Sequence, residues 1–138
     1  MRAKEIFGLH HIGIYVTDIK ESIKFYEEVL DFHFDYGFED PGPQGLIKIA
    51  LMRKDNFSVE LLELADSSQV KSQAEQTFNH FTMYVNDINK TVERLKTDER
   101  VVFEPGGIVE DFGKEHIQFI FFRAINGERI ELVQASLG

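Results

Sequence analysis

The chain has 138 residues, enough for one compact domain or two small modules sharing a core, and 43 % of them are hydrophobic, too many for a disordered chain. With 24 acidic against 15 basic side chains the net charge is −9, which argues against a nucleic-acid partner, since phosphate binding needs an excess of Lys and Arg. The absence of Cys excludes a disulfide, a thiolate nucleophile and a Cys-based zinc site, no apolar run approaches the roughly 18 residues of a membrane span, and Met1–Gly8 has no signal-like apolar stretch, so a cytoplasmic protein is expected.

In chain order, Leu9–Val16 alternates in polarity and predicts a strand. Asp18 follows where a helix N-cap belongs, with Glu21 at capping-box spacing, and Ile19, Ile23, Tyr26 and Leu30 keep a helical period. Three strand-like runs come next, Phe32–Phe38, Leu46–Arg53 and Phe57–Leu64, the first two separated by the turn-rich stretch Glu39–Gly45. The polar stretch Ala65–Thr77 reads as a linker. The pattern then begins again. Phe78–Val85 predicts a strand, Asp87 an N-cap, and Ile88, Val92 and Leu95 a helix. Val101–Glu104, His116–Arg123 and Glu128–Gln134 predict the remaining strands. Between them lie Pro105–Glu115, long enough for a mobile flap, and Asn126-Gly127, a two-residue hairpin signal.

The restart is a repeat. His11-Ile-Gly-Ile-Tyr-Val-Thr-Asp-Ile19 aligns with His80-Phe-Thr-Met-Tyr-Val-Asn-Asp-Ile88 at an offset of 69, and Val59-Glu60-Leu61 aligns with Ile130-Glu131-Leu132 at 71. Each copy reads β-α-β-β-β. The organisation expected is a single domain over 1–138, with modules at 8–64 and 78–134 joined by the linker 65–77.

Strand alternation then sorts the faces. His10, Ile12, Ile14 and Val16 suit the helix side, leaving His11, Gly13 and Tyr15 opposite; Phe81, Met83 and Val85 leave His80 with Thr82 and Tyr84. Glu60 opposes Val59 and Leu61, and Glu131 opposes Ile130 and Leu132. The same face of both copies thus carries one His and one Glu. Any one of these residues alone would read as structural or solvated; their return at matching places points to a shared task. If the modules pair side by side, His11, Glu60, His80 and Glu131 offer two nitrogens and two carboxylates to one divalent cation, whose charge the carboxylates cancel. Ni²⁺, Zn²⁺, Co²⁺, Mn²⁺ and Fe²⁺ all fit such a set.

With these motifs, Leu9-His-His11-Ile-Gly-Ile, Val59-Glu60-Leu-Leu-Glu63, Asn79-His80-Phe-Thr-Met-Tyr-Val85 and Asn126-Gly-Glu-Arg-Ile-Glu131-Leu, the chain resembles the vicinal oxygen chelate superfamily from Leu9 to Gln134. The resemblance implies an α+β fold of two paired βαβββ modules forming a curved mixed sheet around a metal cavity, the glyoxalase/bleomycin resistance/dioxygenase fold. It is closest to the glyoxalase I (lactoylglutathione lyase) branch, in which the four matching positions are His, Glu, His and Glu. Methylmalonyl-CoA epimerases typically carry Gln where this chain has Glu60, extradiol dioxygenases and fosfomycin-modifying enzymes leave that position unused, and bleomycin-binding relatives lack the metal set. Two glutathione-gripping positions of glyoxalase I, an Arg and an Asn, are Tyr15 and Leu64 here, so that grip is not carried over.

What the resemblance implies is a metal-dependent lyase or isomerase acting on an α-hydroxy carbonyl substrate of hemithioacetal type through an enediolate. Glu131, or else Glu60, would be the base. The alternatives are epimerisation of a CoA thioester or 2-oxo compound, and a non-catalytic small-molecule-binding module. Were Asn126-Gly127 the hairpin loop, Phe122 would lie opposite Glu131 and share its face with Gln118; Tyr15 and, beside the flap, His116 complete the expected substrate-binding residues. Lys114, Arg123 and Arg129 are available to an anionic substrate, whereas His10 is expected on the helix side and His33 at the surface. The expected partners are a small-molecule substrate and, because sheets of this kind cover their edges by association, a second copy in a homodimer.

Overall fold

Asp18 and Asp87 each start a helix in the computed structural model, which describes residues 10–55, 57–66, 68, 79–111 and 117–135. Both hold extended backbone and accept the N–H three residues on, from Glu21 at 3.2 Å and Lys90 at 3.1 Å. A second acceptor reaches each helix from far along the chain. Glu63 Oε1 takes the Ile19 N–H at 2.8 Å, and Gln134 Oε1 takes the Ile88 N–H at 2.7 Å. Helices α1 (Ile19–Glu28) and α2 (Ile88–Lys96) are thereby pinned by their N-termini to the last strand of their own unit. Ile88, Val92 and Leu95 are the buried stripe of α2, as the period predicts. On α1 the buried residues are Ile19, Ser22, Phe25 and Tyr26, with Phe25 in place of the expected Ile23. Full burial of rings such as Phe25 and Tyr26 contributes about 1.5–3 kcal/mol each.

The chain divides into two compact units, Met1–Val70 and Lys71–Gly138. In the first, β1 (Ile12–Tyr15), α1, β2 (His33–Gly42), β3 (Gly45–Lys54) and β4 (Phe57–Glu63) follow the predicted βαβββ order. They form a sheet of order β1-β4-β3-β2, in which only the β1–β4 pair is parallel, and α1 packs on β2, β3 and β4. The stretch Glu39–Gly45, expected to be turn, is mostly strand: Gly42 pairs with Gly45, leaving Pro43 and Gln44 as the loop. The reason is position, because β2 is the sheet's edge and Pro41 there forfeits no interior ladder bond. Beyond α1 the chain reverses through Asp31, in the left-handed region at φ 60°, and Lys54 Nζ donates to the Leu30 and Asp31 carbonyls at 3.1 and 3.3 Å.

The second unit has β5 (Phe81–Tyr84), α2, β6 (Val102–Phe103), β7 (Val109–Asp111), β8 (Ile117–Arg123) and β9 (Arg129–Ala135). Its order is β5-β9-β8-β6, with β7 also on β8, again with one parallel pair, β5–β9. The fold is therefore α+β with two mixed sheets. One strand more than expected appears, because β6 lies opposite Phe122 and Arg123 while β7 lies opposite Ile117–Phe119. These are two halves of one strand interrupted at Glu104–Ile108, where Gly106 and Gly107 take positive φ of 112° and 66°. The expected flap Pro105–Glu115 is thus strand at Val109–Asp111, and the rest of it, from residue 112, lies outside the described residues. So do Met1–Leu9, most of the linker and Phe78.

A second correction concerns register. The β8–β9 loop holds three residues, Ile125 to Gly127, because Ala124 N–H bonds the Glu128 carbonyl at 3.0 Å and Gly127, at φ 83°, bonds back to Ala124. Phe121, not Phe122, therefore pairs with Glu131. Phe122 pairs with Ile130 and is 0 % exposed in the helix-side core, and Gln118, of the same parity, pairs with Gln134. Among the described residues no helix is long and apolar enough to cross a membrane.

Candidate metal centre

In the first unit the parallel ladder matches Ile12 with Val59 and Gly13 with Glu60. Val59 and Leu61 are fully buried on the helix side, so alternation turns Glu60 to the other face, where His11 leads into β1. His11 Nε2 lies 3.7 Å from Glu60 Oε2. The other ring nitrogen of His11 meets His10 Nδ1 at 2.8 Å, and the two rings touch edge to face. His10 is accordingly exposed and not on the helix side as expected; it precedes β1, where alternation does not yet hold. His33 is exposed, as expected.

The second unit repeats the arrangement. Thr82 pairs with Glu131 across β5 and β9, Ile130 and Leu132 are buried, and His80 Nε2 lies 3.5 Å from Glu131 Oε1. Here the carboxylate is braced, since the Thr82 hydroxyl donates to Glu131 Oε1 at 2.7 Å. The first copy has Gly13 at that place, and the nearest atoms to a Cβ there would be Leu62 Cδ1 at 3.4 Å and Glu60 Oε1 at 3.9 Å.

Around His80 lie residues that strand-parity reasoning missed. Phe121 meets the His80 ring edge-on at 5.0 Å, and the Arg129 guanidinium lies 3.7 Å over Phe121. Arg129 also forks onto Glu104, Nε to Oε2 at 2.7 Å and Nη2 to Oε1 at 2.9 Å. That bond, then the Arg129 and Arg123 charges, hold the Glu104 carboxyl below its ordinary range, and Glu104 raises Arg129 in return. Arg123 is engaged as well, 3.4 Å from Glu104 and donating to the Gly127 carbonyl at 3.0 Å. The missed signal was loop length: with three loop residues, Phe119 and Phe121 share the face of Glu131. Of the residues expected at substrate, Tyr15 lies on the His11 face and is 49 % exposed, whereas Gln118 and Phe122 belong to the opposite face. Gln118 Nε2 donates to Glu110 Oε1 at 3.1 Å. His116 and Lys114 lie outside the described residues.

The donor chemistry fits a divalent ion. Separations of 3.7 and 3.5 Å exceed a hydrogen bond yet fall within the roughly 4.2 Å that two bonds to one shared ion span. Each pair supplies one imidazole nitrogen and one carboxylate oxygen, donor types that divalent ions accept. Among the described residues, no group of three or more His, Asp or Glu side chains is gathered as a ligand set; each unit holds a pair.

Residues 8–132 match the Glyoxalase/Bleomycin resistance protein/Dioxygenase superfamily. The chain belongs to that family. This is the vicinal oxygen chelate superfamily to which the sequence motifs pointed. No curated protein matches the sequence significantly. Among solved structures, a glyoxalase family protein from Bacillus cereus is similar at 18 % identity, covering 98 % of both chains with a TM-score of 0.75. A glyoxylase/bleomycin resistance protein/dioxygenase domain from Frankia sp. EAN1pec is similar at 17 % identity, covering 97 % of this chain and 96 % of its own, with a TM-score of 0.76. The genomically encoded fosfomycin resistance protein FosX from Listeria monocytogenes, complexed with Mn(II) and sulfate, matches at 21 % identity over 96 % of this chain and 95 % of its own, with a TM-score of 0.70. At these identities the likeness is one of fold. The family includes metal-dependent enzymes, and this member keeps a His–Glu pair in each unit.

Proposed function

We propose that the protein is a divalent-metal-dependent lyase or isomerase of glyoxalase I type, with His11, Glu60, His80 and Glu131 as its ligands. Its substrate is an α-hydroxy carbonyl compound, of which a hemithioacetal is the leading class. The observation that carries this reading is the duplicated spacing: His Nε2 to Glu Oε distances of 3.7 and 3.5 Å at equivalent places in two copies. A set with both carboxylates leaves Glu60 a role that two-His, one-Glu relatives do not need.

A bound divalent ion supplies Lewis acidity where negative charge builds on the substrate's oxygens. The chain's own residues do the rest. Glu131 moves the proton between neighbouring carbons, with the Thr82 hydroxyl keeping one carboxylate oxygen oriented while the other turns to the substrate. Glu60, which has Gly13 where Glu131 has Thr82, serves as the second ligand carboxylate; exchange of these two roles is the variant of the same mechanism. Phe119 and Phe121 give the Glu131 face an apolar flank.

The test is turnover of the methylglyoxal–glutathione hemithioacetal, and of other thiol adducts, by protein loaded in turn with Ni²⁺, Co²⁺, Zn²⁺ and Mn²⁺. Metal-dependent product formation is expected, with Glu131→Gln slowing it by about 10²–10⁴-fold. No turnover of any thiol adduct overturns the assignment. Solvent deuterium entering the α-carbon of an acyl thioester as its epimers interconvert would then identify an epimerase, and ligand binding that survives a chelator would identify a binding module.

A further inference from the structure

We propose that Asn79 is a positioning residue for His80: gripped by Arg129, it locks the imidazole in its Nδ1–H tautomer and turns the Nε2 lone pair toward Glu131. The argument begins with Arg129, whose guanidinium has donors and no acceptor. Arg129 Nη1 lies 2.7 Å from Asn79 Oδ1. An amide nitrogen at that place would set N–H against N–H, so the amide's orientation is fixed by chemistry. His80 Nδ1 lies 2.7 Å from the same oxygen. Only a ring N–H satisfies that contact, and a neutral imidazole protonated at Nδ1 carries its lone pair on Nε2. Nε2 is the atom that faces Glu131 at 3.5 Å.

The lock is itself held. Arg129 cannot swing away, because Glu104 takes its Nε and Nη2 and its plane rests on Phe121. Phe121 in turn stands edge-on to the His80 ring at an interplanar angle of 88°. The chain Glu104–Arg129–Asn79–His80 lies wholly within the second unit. Among the described residues the first unit has no counterpart, for the repeat puts His10 where Asn79 stands. His10 Nδ1 faces His11 Nδ1 at 2.8 Å, and an imidazole can donate or accept, so the tautomer of His11 is left open. The two imidazoles are therefore unequal: one is preset as a nitrogen donor and the other selects its tautomer when a ligand arrives.

The tautomer stands on geometry alone; its consequence for an ion rests on the function proposed above. Long-range ¹H–¹⁵N spectra of metal-free protein, recorded where imidazoles are neutral, read it directly, with the His80 signals identified by their loss in His80→Gln. The wild type is expected to show protonated Nδ1 and unprotonated Nε2. Asn79→Leu is expected to relax His80 toward the Nε2–H form that free imidazole side chains favour, while Asn79→Asp, which keeps the oxygen, retains the lock. Titration with Co²⁺ is expected to weaken by about 10–100-fold in Asn79→Leu and to recover in Asn79→Asp. An Nε2–H signal in the wild type, or an Asn79→Leu spectrum unchanged from it, overturns the proposal. The Nδ1–H signal in a wild type that takes up no Co²⁺ supports the lock and overturns the metal reading instead.

Discussion

Arg100 folds back on Asp98 through Nε to Oδ1 at 3.0 Å and Nη2 to Oδ2 at 2.8 Å, and its own backbone N–H adds a bond to Oδ1 at 2.9 Å. Together these turn the chain from α2 into β6. The side-chain bonds first, then the backbone bond, lower the Asp98 carboxyl from 3.8 to about 2 against the opposing cost of burial, with the Arg100 and Arg94 charges adding to the lowering. A carboxyl lowered by folding stabilises the native state fully above its unfolded value and loses that contribution as pH falls from about 3.8 through about 2. Water reaches both partners, so screening leaves about 1 kcal/mol or less at neutral pH. Asp98→Asn is accordingly expected to lower stability by about that amount at pH 7 and to have lost most of that effect near pH 2, in urea unfolding at the two pH values. Glu104 follows the same sign, with Arg129 as its main cause. The same scale separates Glu131, braced by Thr82, from Glu60, which faces a glycine, though both are Glu in equivalent strands.

Each helix is fastened to its sheet by a side chain from the last strand of its unit, and the repeat uses a different residue for it each time: Glu63 in one copy and Gln134 in the other. Both accept through an amide or carboxylate oxygen, so charge is not required. Glu63→Gln is expected to cost less than about 1 kcal/mol, mostly its ion pair with Lys48 at 3.7 Å, whereas Glu63→Ala strips an acceptor from the helix and costs about 1–2 kcal/mol by thermal unfolding. The elements themselves were legible because their signals are local: Asp18 and Asp87 as caps, the period of Ile88, Val92 and Leu95, the alternation of β1 and β5. What was not legible depends on where the chain returns. Whether Asn126-Gly127 closes two residues or three decides which of Phe121 and Phe122 faces Glu131, and a hydrogen bond between Ala124 and Glu128 settles that, not any local preference. Likewise Glu39–Gly42 has turn composition yet extends an edge strand, because its partners Gly45–Lys48 lie just beyond the loop.

At the scale of the whole molecule, one idea, duplication at offsets of 69 and 71, made both units and both His–Glu pairs readable from the chain. The pairs are alike in their His and Glu and differ in the contacts of the imidazoles: Asn79, Arg129 and Glu104 hold one, and His10 meets the other. Glu104 and Arg129 were not legible as their partners, since they come from parts of the second unit distant from His80 in sequence. In the proposed function the two pairs act on one ion. Calorimetric titration of the intact protein with Co²⁺ or Mn²⁺, beside His11→Ala, Glu60→Gln, His80→Ala and Glu131→Gln, tests it directly. One ion per chain is expected, with every one of the four substitutions weakening it by more than the about 10–100-fold of an outer-shell change. Two ions per chain, weakening confined to the substitutions of one unit, or no stoichiometric uptake would contradict it.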